Sequence, residues 1–525
     1  MCGQEQYQGG REMLSPTQGF EKIWKGIKTE WKLAFLSTFI VGLLVHMPIM
    51  LSDIPNHDGL GSLYFDQNMV TSGRFFLTVA CGFSSYYTIP WLIGLLGLVF
   101  LGIAASVIVE VLEVRQTWAV VLTGGLLAAF PALASTFAYV FTLDGYMLAL
   151  LLAVLAVLLT KKYSWGFLPG ALCLALSMGT YQAYLPFAML LSLFAIFMLW
   201  TSTREKKVAT TLRYVYMGGL GVGLYYLILF VCMKLQGKEL AAYQGINAVG
   251  SGQSENLWNT LVKIYRDFFA FTLDGKVLWQ NVFTLIAMIL LVLAVVVTIA
   301  LKLKSGSWGK IWTTVLIVAL AVVVLPLFTN VILLVSPSVT YHLLMRYQWV
   351  LYLIGAVALL SHLGSDEKTA VILQWAGCLA VAVLVFSYAV TNNIAYGNLE
   401  KKYEKTYAYC QRLLDRIEQT DGYYQGIPIA MIGVVGDEQY PVTDLTFDVT
   451  SNMIGMSGDM LLYTGENYKA FMASYLGATL NILPAEAMSE MYYSEEYISM
   501  DTFPGEDSIR VIDGVMYIKT ENTAR

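Results

Sequence analysis

The chain is short of charge. Only 13% of its 525 residues are Asp, Glu, Lys or Arg, about half the share of an average soluble domain. Cysteine is scarce as well. Cys2, Cys81, Cys173, Cys232, Cys378 and Cys410 form no C-x-x-C pair, and three of them sit in apolar runs, which argues against a zinc site or a disulfide framework. There is no basic patch with interleaved aromatics, so no nucleic-acid partner is expected. The chain has no P-loop, no H-E-x-x-H, no G-x-S-x-G and no dinucleotide fingerprint. Those absences argue against soluble-nucleotide chemistry, and the short polar connections between apolar runs leave no room for a nucleotide-sugar domain. Internal repeats and low-complexity tracts are also missing.

What is present is apolar sequence: 57% hydrophobic residues and a mean hydropathy of +0.61. A spanning helix needs ~20 mainly apolar residues. Spans are expected near Leu33–Leu51, Ile89–Val111, Trp118–Tyr139, Tyr146–Thr160, Trp165–Thr180, Pro186–Trp200, Tyr214–Leu235, Val282–Leu303, Ile311–Val335, Tyr347–His362 and Ala370–Thr391, about eleven in all. The expected fold is a mainly α, polytopic membrane bundle with a small C-terminal α/β domain. Residues 1–32 read as a cytoplasmic leader ahead of an uncleaved signal anchor, 33–391 as the membrane domain and 392–525 as an extracytoplasmic domain.

Orientation follows from basic residues in short loops. Lys22, Lys25, Lys28 and Lys32 precede the first span. Alternate connections then carry Arg115; Lys161 and Lys162; Arg204, Lys206, Lys207 and Arg213; Lys302, Lys304 and Lys310; and Lys368. With an odd number of spans all fall on one side, so the N-terminus is placed in the cytoplasm and the C-terminal region outside. Three outward segments are long. Ser52–Pro90 ends in a stretch, Phe75–Phe83, that suits an interfacial helix. Gln236–Asn281 holds Trp258, Tyr265, Phe268, Phe269 and Phe271 among Lys263, Arg266 and Asp267, and suits a helix on the membrane surface. Ser336–Arg346 is shorter. Beyond Thr391, Asn398–Thr420 has an amphipathic helix pattern, and Ile427–Val435 and Val511–Lys519 read as strands.

One polar loop stands out: Ser52-Asp53-Ile54-Pro55-Asn56-His57-Asp58-Gly59, running on through Asp66 to Gly73-Arg74. Carboxylates at the mouth of a membrane bundle are costly unless water, substrate or a cation meets them. Asp58 is the candidate general base, since flanking glycines allow close approach to a hydroxyl. Asp53 and Asp66 are alternatives; Asp and Asn also serve simply as turn formers and caps. Asp144, in the turn Thr142-Leu143-Asp144-Gly145, is either a helix cap or a second carboxylate. Arg74 and Arg346 suit a phosphate, because the planar guanidinium fork donates several hydrogen bonds; interfacial anchoring is the plainer role. His342 could neutralise a leaving phosphate or be merely solvated. Tyr181 and Gln182, in Tyr181-Gln182-Ala183-Tyr184, offer a sugar an aromatic surface and an amide, although tyrosines also populate the interfacial belt.

The P-N-H-D-G-L-G loop with G-R-F-F after it, the F-T-L-D-G-Y turn and the M-G-T-Y-Q-A-Y stretch resemble the bacterial Gtr-type membrane glucosyltransferases, of GT-C architecture. The resemblance covers roughly Leu33–Thr391 and leaves the acidic C-terminal region outside it. It implies a multi-pass transferase of the bacterial cytoplasmic membrane. Such an enzyme takes a hexose, glucose by the family, from a polyprenyl-phosphate carrier and passes it to a cell-envelope glycan on the outer face. The family's acidic residue in the first outer loop maps to Asp58, with Asp53 nearby. The paired acidic residues of that loop are broken here by His57, which leaves a divalent cation an open question; no other cofactor is implied. A polysaccharide polymerase or ligase of similar topology, and a lipid-carrier flippase or transporter, are the alternatives. The nearly uncharged span centres speak against transport.

Overall fold

The computed structural model describes residues 14–62, 67–82, 88–202, 206–241, 257–304, 311–336, 339–364, 367–432, 450, 453, 462 and 464–521. Helices dominate: α1 (Pro16–Gly26), α2 (Thr29–Leu51), α3 (His57–Ser62), α4 (Leu77–Cys81), α5 (Pro90–Val111), α6 (Thr117–Ala129), α7 (Pro131–Phe137), α8 (Leu143–Lys162), α9 (Phe167–Thr180), α10 (Leu185–Thr201), α11 (Lys207–Gln236), α12 (Leu257–Leu273), α13 (Val282–Lys304), α14 (Ile311–Thr329), α15 (Ile332–Val335), α16 (Val350–Ser361), α17 (Lys368–Gln419) and α18 (Gly465–Leu476). Among the described residues eight helices are long and apolar enough to cross a membrane, nine if the α6–α7 pair, bent by 45°, is one span. Outward-facing Phe283, Leu293, Ile372, Trp375 and Phe386 on α13 and α17 are exposed, as lipid-facing side chains of a membrane protein must be.

The expected runs that are not among these eight or nine are Trp165–Thr180 and Ile311–Val335. The Trp165–Thr180 run is helical only as α9, whose 14 residues reach ~21 Å against a ~30 Å hydrocarbon core. The Ile311–Val335 run is helical as the 19-residue α14, with the short α15 following beyond Asn330 and Val331. The expected interfacial helix after Arg74 is instead the five-residue α4, with Leu77, Ala80 and Cys81 buried. Cys81 lies so close to Gly145 that a Cβ there would come within 2.8 Å of its Sγ, so α4 packs onto the start of α8.

Small residues let the central helices approach, as is common where lipid cannot drive association. Cβ atoms at Gly94 and Gly102 of α5 would collide with Met50 and Phe35 of α2. The bend at Pro131 frees the last carbonyls of α6 inside the bundle, where no water can meet them. Three side chains from three other segments do so instead. Tyr347 Oη donates to Leu127 O (2.5 Å), His46 Nε2 to Ala128 O (2.8 Å) and Asn392 Nδ2 to Ala129 O (2.8 Å). Since a carbonyl only accepts, the His46 proton sits on Nε2, and Nδ1 accepts from Tyr396 Oη at 2.6 Å.

At one end of the bundle the basic connections gather. Lys28 and Arg115 pair with Glu110 (2.6 and 3.0 Å), Lys161 pairs with Glu113 (2.8 Å), His362 bonds Glu113 O, and Lys302 reaches His362 O. The end of α2 and the starts of α5 and α8 lie at the opposite end.

No break separates the last span from the charged helix after it. They form one 52-residue α17, ~78 Å long at 1.5 Å per residue. Asn392 and Asn393 continue the helix because their amides bond Ala129 O and Ala389 O. The far part of α17 buries Tyr409, Cys410, Leu413 and Ile417 in a second core. A mixed sheet completes it: β1 (Pro428–Ile432), β2 (Asn481–Ile482), β3 (Ile509–Ile512) and β4 (Val515–Lys519) in the order β2-β1-β4-β3. β1 runs parallel to β2 and β4, and β3 pairs antiparallel with β4. The single strand expected over Val511–Lys519 is thus a hairpin, turning at Asp513-Gly514, both of positive φ. Leu60 of α3 is buried in this second core with Tyr468 and Phe471 of α18. The loop after α2 is therefore held between the membrane bundle and the C-terminal unit.

Candidate functional site

The loop after α2 begins with Ser52, whose hydroxyl turns back to Pro48 O (2.6 Å) and closes the helix end. Asn56 then starts α3. Its Oδ1 accepts the Gly59 N–H at 2.7 Å, the usual N-cap bond. A Cβ at Gly59 would lie 3.1 Å from Pro55 and 3.3 Å from the Asn56 oxygen, so glycine lets this turn close tightly. Asp58, in the first turn of α3, is exposed. Asp66 lies outside the described residues.

Beneath this loop is a small cleft with room for about one water molecule. Its walls are Ile49 and Ser52 at the end of α2, Asp53 to Asn56 and Gly59 in the loop, Thr88 and Pro90 before α5, and Ala138, Val140 and Phe141 between α7 and α8. Partial burial raises the Asp53 carboxyl above its ordinary value. Asn56 is completely buried.

The other predicted residues fall into two further groups. Around Arg74, whose segment bridges to Met69, Nη1 lies 3.2 Å from Tyr146 Oη, and the guanidinium stands 5.1 Å from the Tyr181 ring. Tyr181 is buried and stacks on Tyr146 at 4.2 Å. Gln182, also buried, donates from Nε2 to Ser72 O (3.0 Å) and Tyr225 Oη (3.1 Å), while Tyr225 donates to Gly73 O (3.2 Å). Gly73 has φ +77°, and a Cβ there would meet both side chains, so glycine is required at this turn. Tyr181 and Gln182 thus build the platform under the Arg74 turn. Asp144 lies two residues before Tyr146, buried in the first turn of α8 rather than at its cap, with Oδ1 accepting the Gly145 N–H (2.9 Å). That helix starts earlier than the apolar run suggests.

Arg346 forms the third group. Its Nη1 and Nη2 grip Asp267 of α12 at 2.7 and 2.8 Å, its Nε donates to Tyr341 O at 3.2 Å, and its plane stands 3.9 Å from the Tyr341 ring. Asn330 Nδ2 adds a third bond to Asp267 (3.0 Å). This closed pair ties α12 to the chain before α16. His342, half-buried, starts the turn Leu343–Trp349. Sequence reading missed the roles of Asn56, Tyr146, Tyr225 and Asp267. Only Asp267 carried a signal, as an acid in an otherwise aromatic helix face. Among the described residues no three His, Cys, Asp or Glu side chains converge to hold a metal.

Comparison with known proteins places this geometry. A family model described as Glucosyl transferase GtrII matches residues 47–363. No curated protein and no solved structure matches the chain. The matched region is more than half of the chain and contains the cleft, the Arg74 turn and the Arg346–Asp267 pair. This membrane protein belongs to the GtrII glucosyl transferase family.

Proposed function

We propose that the chain transfers a hexose, glucose by its family, from a polyprenyl-phosphate carrier to a cell-envelope glycan at the outer face of the bacterial cytoplasmic membrane. The observation that carries this reading is the GtrII match across the cleft and the polar loop. The gathering of Lys28, Arg115, Lys161 and Lys302 at the opposite bundle end supports an outward-facing loop, since basic residues stay in the cytoplasm. On this reading residues 33–391 form the catalytic membrane domain and 392–525 an extracytoplasmic unit resting on the loop.

The reaction is a direct displacement. Asp58 accepts the proton of an acceptor hydroxyl as its oxygen bonds to the anomeric carbon. The bond from that carbon to the carrier phosphate oxygen breaks, and the phosphate leaves with the electron pair. Arg74 is the arginine we assign to the departing phosphate, held in place by Tyr146 and Tyr181. Arg346 already spends its fork on Asp267 and acts as a positioning residue. A carrier phosphate sits at the membrane face, so no soluble nucleotide has to enter.

The test uses full-length protein in lipid nanodiscs with polyprenyl-phosphate hexose and a candidate envelope glycan. Release of free polyprenyl phosphate is followed by mass spectrometry for wild type and Asp58→Asn. Release by wild type alone supports the reading. Equal release by both removes Asp58 from the mechanism. Movement of intact carrier across the bilayer without release would make the protein a flippase.

A further inference from the structure

We infer that α1 is a membrane-surface helix. Its Phe20, Ile23 and Trp24 face inserts among the lipids at the basic end of the bundle, and Lys22 and Lys25 hold it to anionic phospholipid headgroups. The helix precedes the family-matched residues 47–363, so the inference stands apart from the transferase reading.

None of the 11 residues of α1 is buried. Phe20, Ile23 and Trp24 are 75%, 65% and 57% exposed. Steps of three and four residues put them on one helix face, and Ile27 at the C-cap extends that face by a turn. Glu21, Lys22 and Lys25 take the opposite face. A helix this short is marginal in water. The capping box between Ser15 and Gln18 offsets part of that cost. The exposed Lys25–Glu21 pair at 3.2 Å adds little. The apolar face therefore needs a cover that the described residues do not supply.

Position selects the cover. Only Ile27 and Lys28 separate α1 from α2, so α1 is tethered where the first span begins. Lys32 Nζ stands 4.4 Å from the centre of the Trp24 ring. Lys32, Leu36, Ile40 and Leu44 follow at four-residue steps and share one face of α2. Leu36, Ile40 and Leu44 are exposed, which makes this the lipid-facing side of α2. Trp24 thus lies where lipid meets the entry of the span, the depth at which indoles gather. Charge then selects the lipid. Over residues 14–32, Lys22, Lys25, Lys28 and Lys32 outnumber Glu21 and Glu30. Nearby Glu110 and Glu113 are already paired with Lys28, Arg115 and Lys161. A basic amphipathic helix in this setting attracts anionic headgroups. A second copy of the chain would bring the same lysines, which repel.

The experiment places the full chain in nanodiscs of phosphatidylcholine alone, or of phosphatidylcholine with phosphatidylglycerol. Hydrogen–deuterium exchange over α1 is read by mass spectrometry. Wild type should exchange more slowly in the anionic discs. Lys22→Gln combined with Lys25→Gln should abolish most of that slowing, ~30-fold for two lysines at a membrane surface. Phe20→Ser combined with Ile23→Ser should exchange fast in both discs. All four positions are exposed, so the bundle should fold in every variant, and unchanged exchange in the largely buried α5 checks that it does. Equal exchange of wild type in the two discs would overturn the inference, as would slowing that survives loss of both lysines. Protection that appears only with two chains per disc would assign the face to a second copy and overturn the lipid as its cover.

Discussion

Two polar regions of this membrane protein solve the same problem in opposite ways. At Arg346 and Asp267 two charges close on each other through paired bonds of 2.7 and 2.8 Å, with Asn330 and Tyr341 taking remaining positions. Under the α2–α3 loop a buried amide keeps a donor with no partner among the described residues, beside a carboxylate whose partial burial disfavours its charge. The first arrangement spends its polar capacity on holding α12 against the chain before α16. The second leaves capacity facing a cleft. A polar residue in an apolar bundle is thus not by itself a sign of chemistry. What distinguishes the two is whether the partners come from within the fold.

Four changes break or sharpen that contrast. The largest effect is expected for Asp58→Asn, which should cut carrier release at least ~100-fold, as loss of a general base does, at unchanged protein abundance. Next, Arg346→Ala should lower stability by roughly 2–4 kcal/mol, because it strands Asp267 in a partly buried site; a quarter of that side chain still sees solvent, which moderates the loss. Replacing both partners with apolar residues should recover much of the deficit. A double-mutant cycle on thermal unfolding measures the coupling, and additive losses would show that the pair is not closed as described.

Asn56→Asp should lower the unfolding midpoint, because it places a second carboxylate at a position with no exposed surface, beside Asp53; an unchanged midpoint would show that the site is open to water. The smallest effect concerns pH. The Asp53 carboxyl titrates above its ordinary value, so it stays protonated to higher pH than an unperturbed Asp near ~3.9. Its neutral form is the one favoured by folding. Asp53 therefore stabilises most at low pH and least once pH rises through its raised value. Asp53→Asn should flatten the descending limb of an unfolding-midpoint-versus-pH curve. A limb that persists in the variant would assign it to another group.

Much of the fold could be read directly. The apolar runs at α2, α5, α8, α10, α11, α13, α16 and α17 are visible because hydrophobicity adds up residue by residue. The polar loop after α2 was legible because carboxylates contrast with hundreds of apolar neighbours. Asn56 is legible only as part of that loop, since its burial and its cap on the Gly59 N–H exist only in the fold. Arg346 was read as a phosphate ligand, since its partner Asp267 is 79 residues away. Tyr181 and Gln182 were read as sugar contacts. They buttress Arg74 and the Ser72-Gly73 turn, a relation between chain segments about 110 residues apart.

From the sequence alone it followed that this is a multi-helix membrane protein with charge confined to its connections, and that one acidic loop is exceptional. Burial in lipid leaves so little freedom that composition and spacing determine this much. The tertiary structure alone decided that α17 runs unbroken past the membrane bundle. It also decided that Tyr347, His46 and Asn392 meet the carbonyls freed at the α6 bend, and that Leu60 anchors the acidic loop in the C-terminal core. Each depends on a partner distant in the chain. A polar group in an apolar interior is satisfied or orphaned according to what the fold brings within 3 Å of it, which no local pattern encodes.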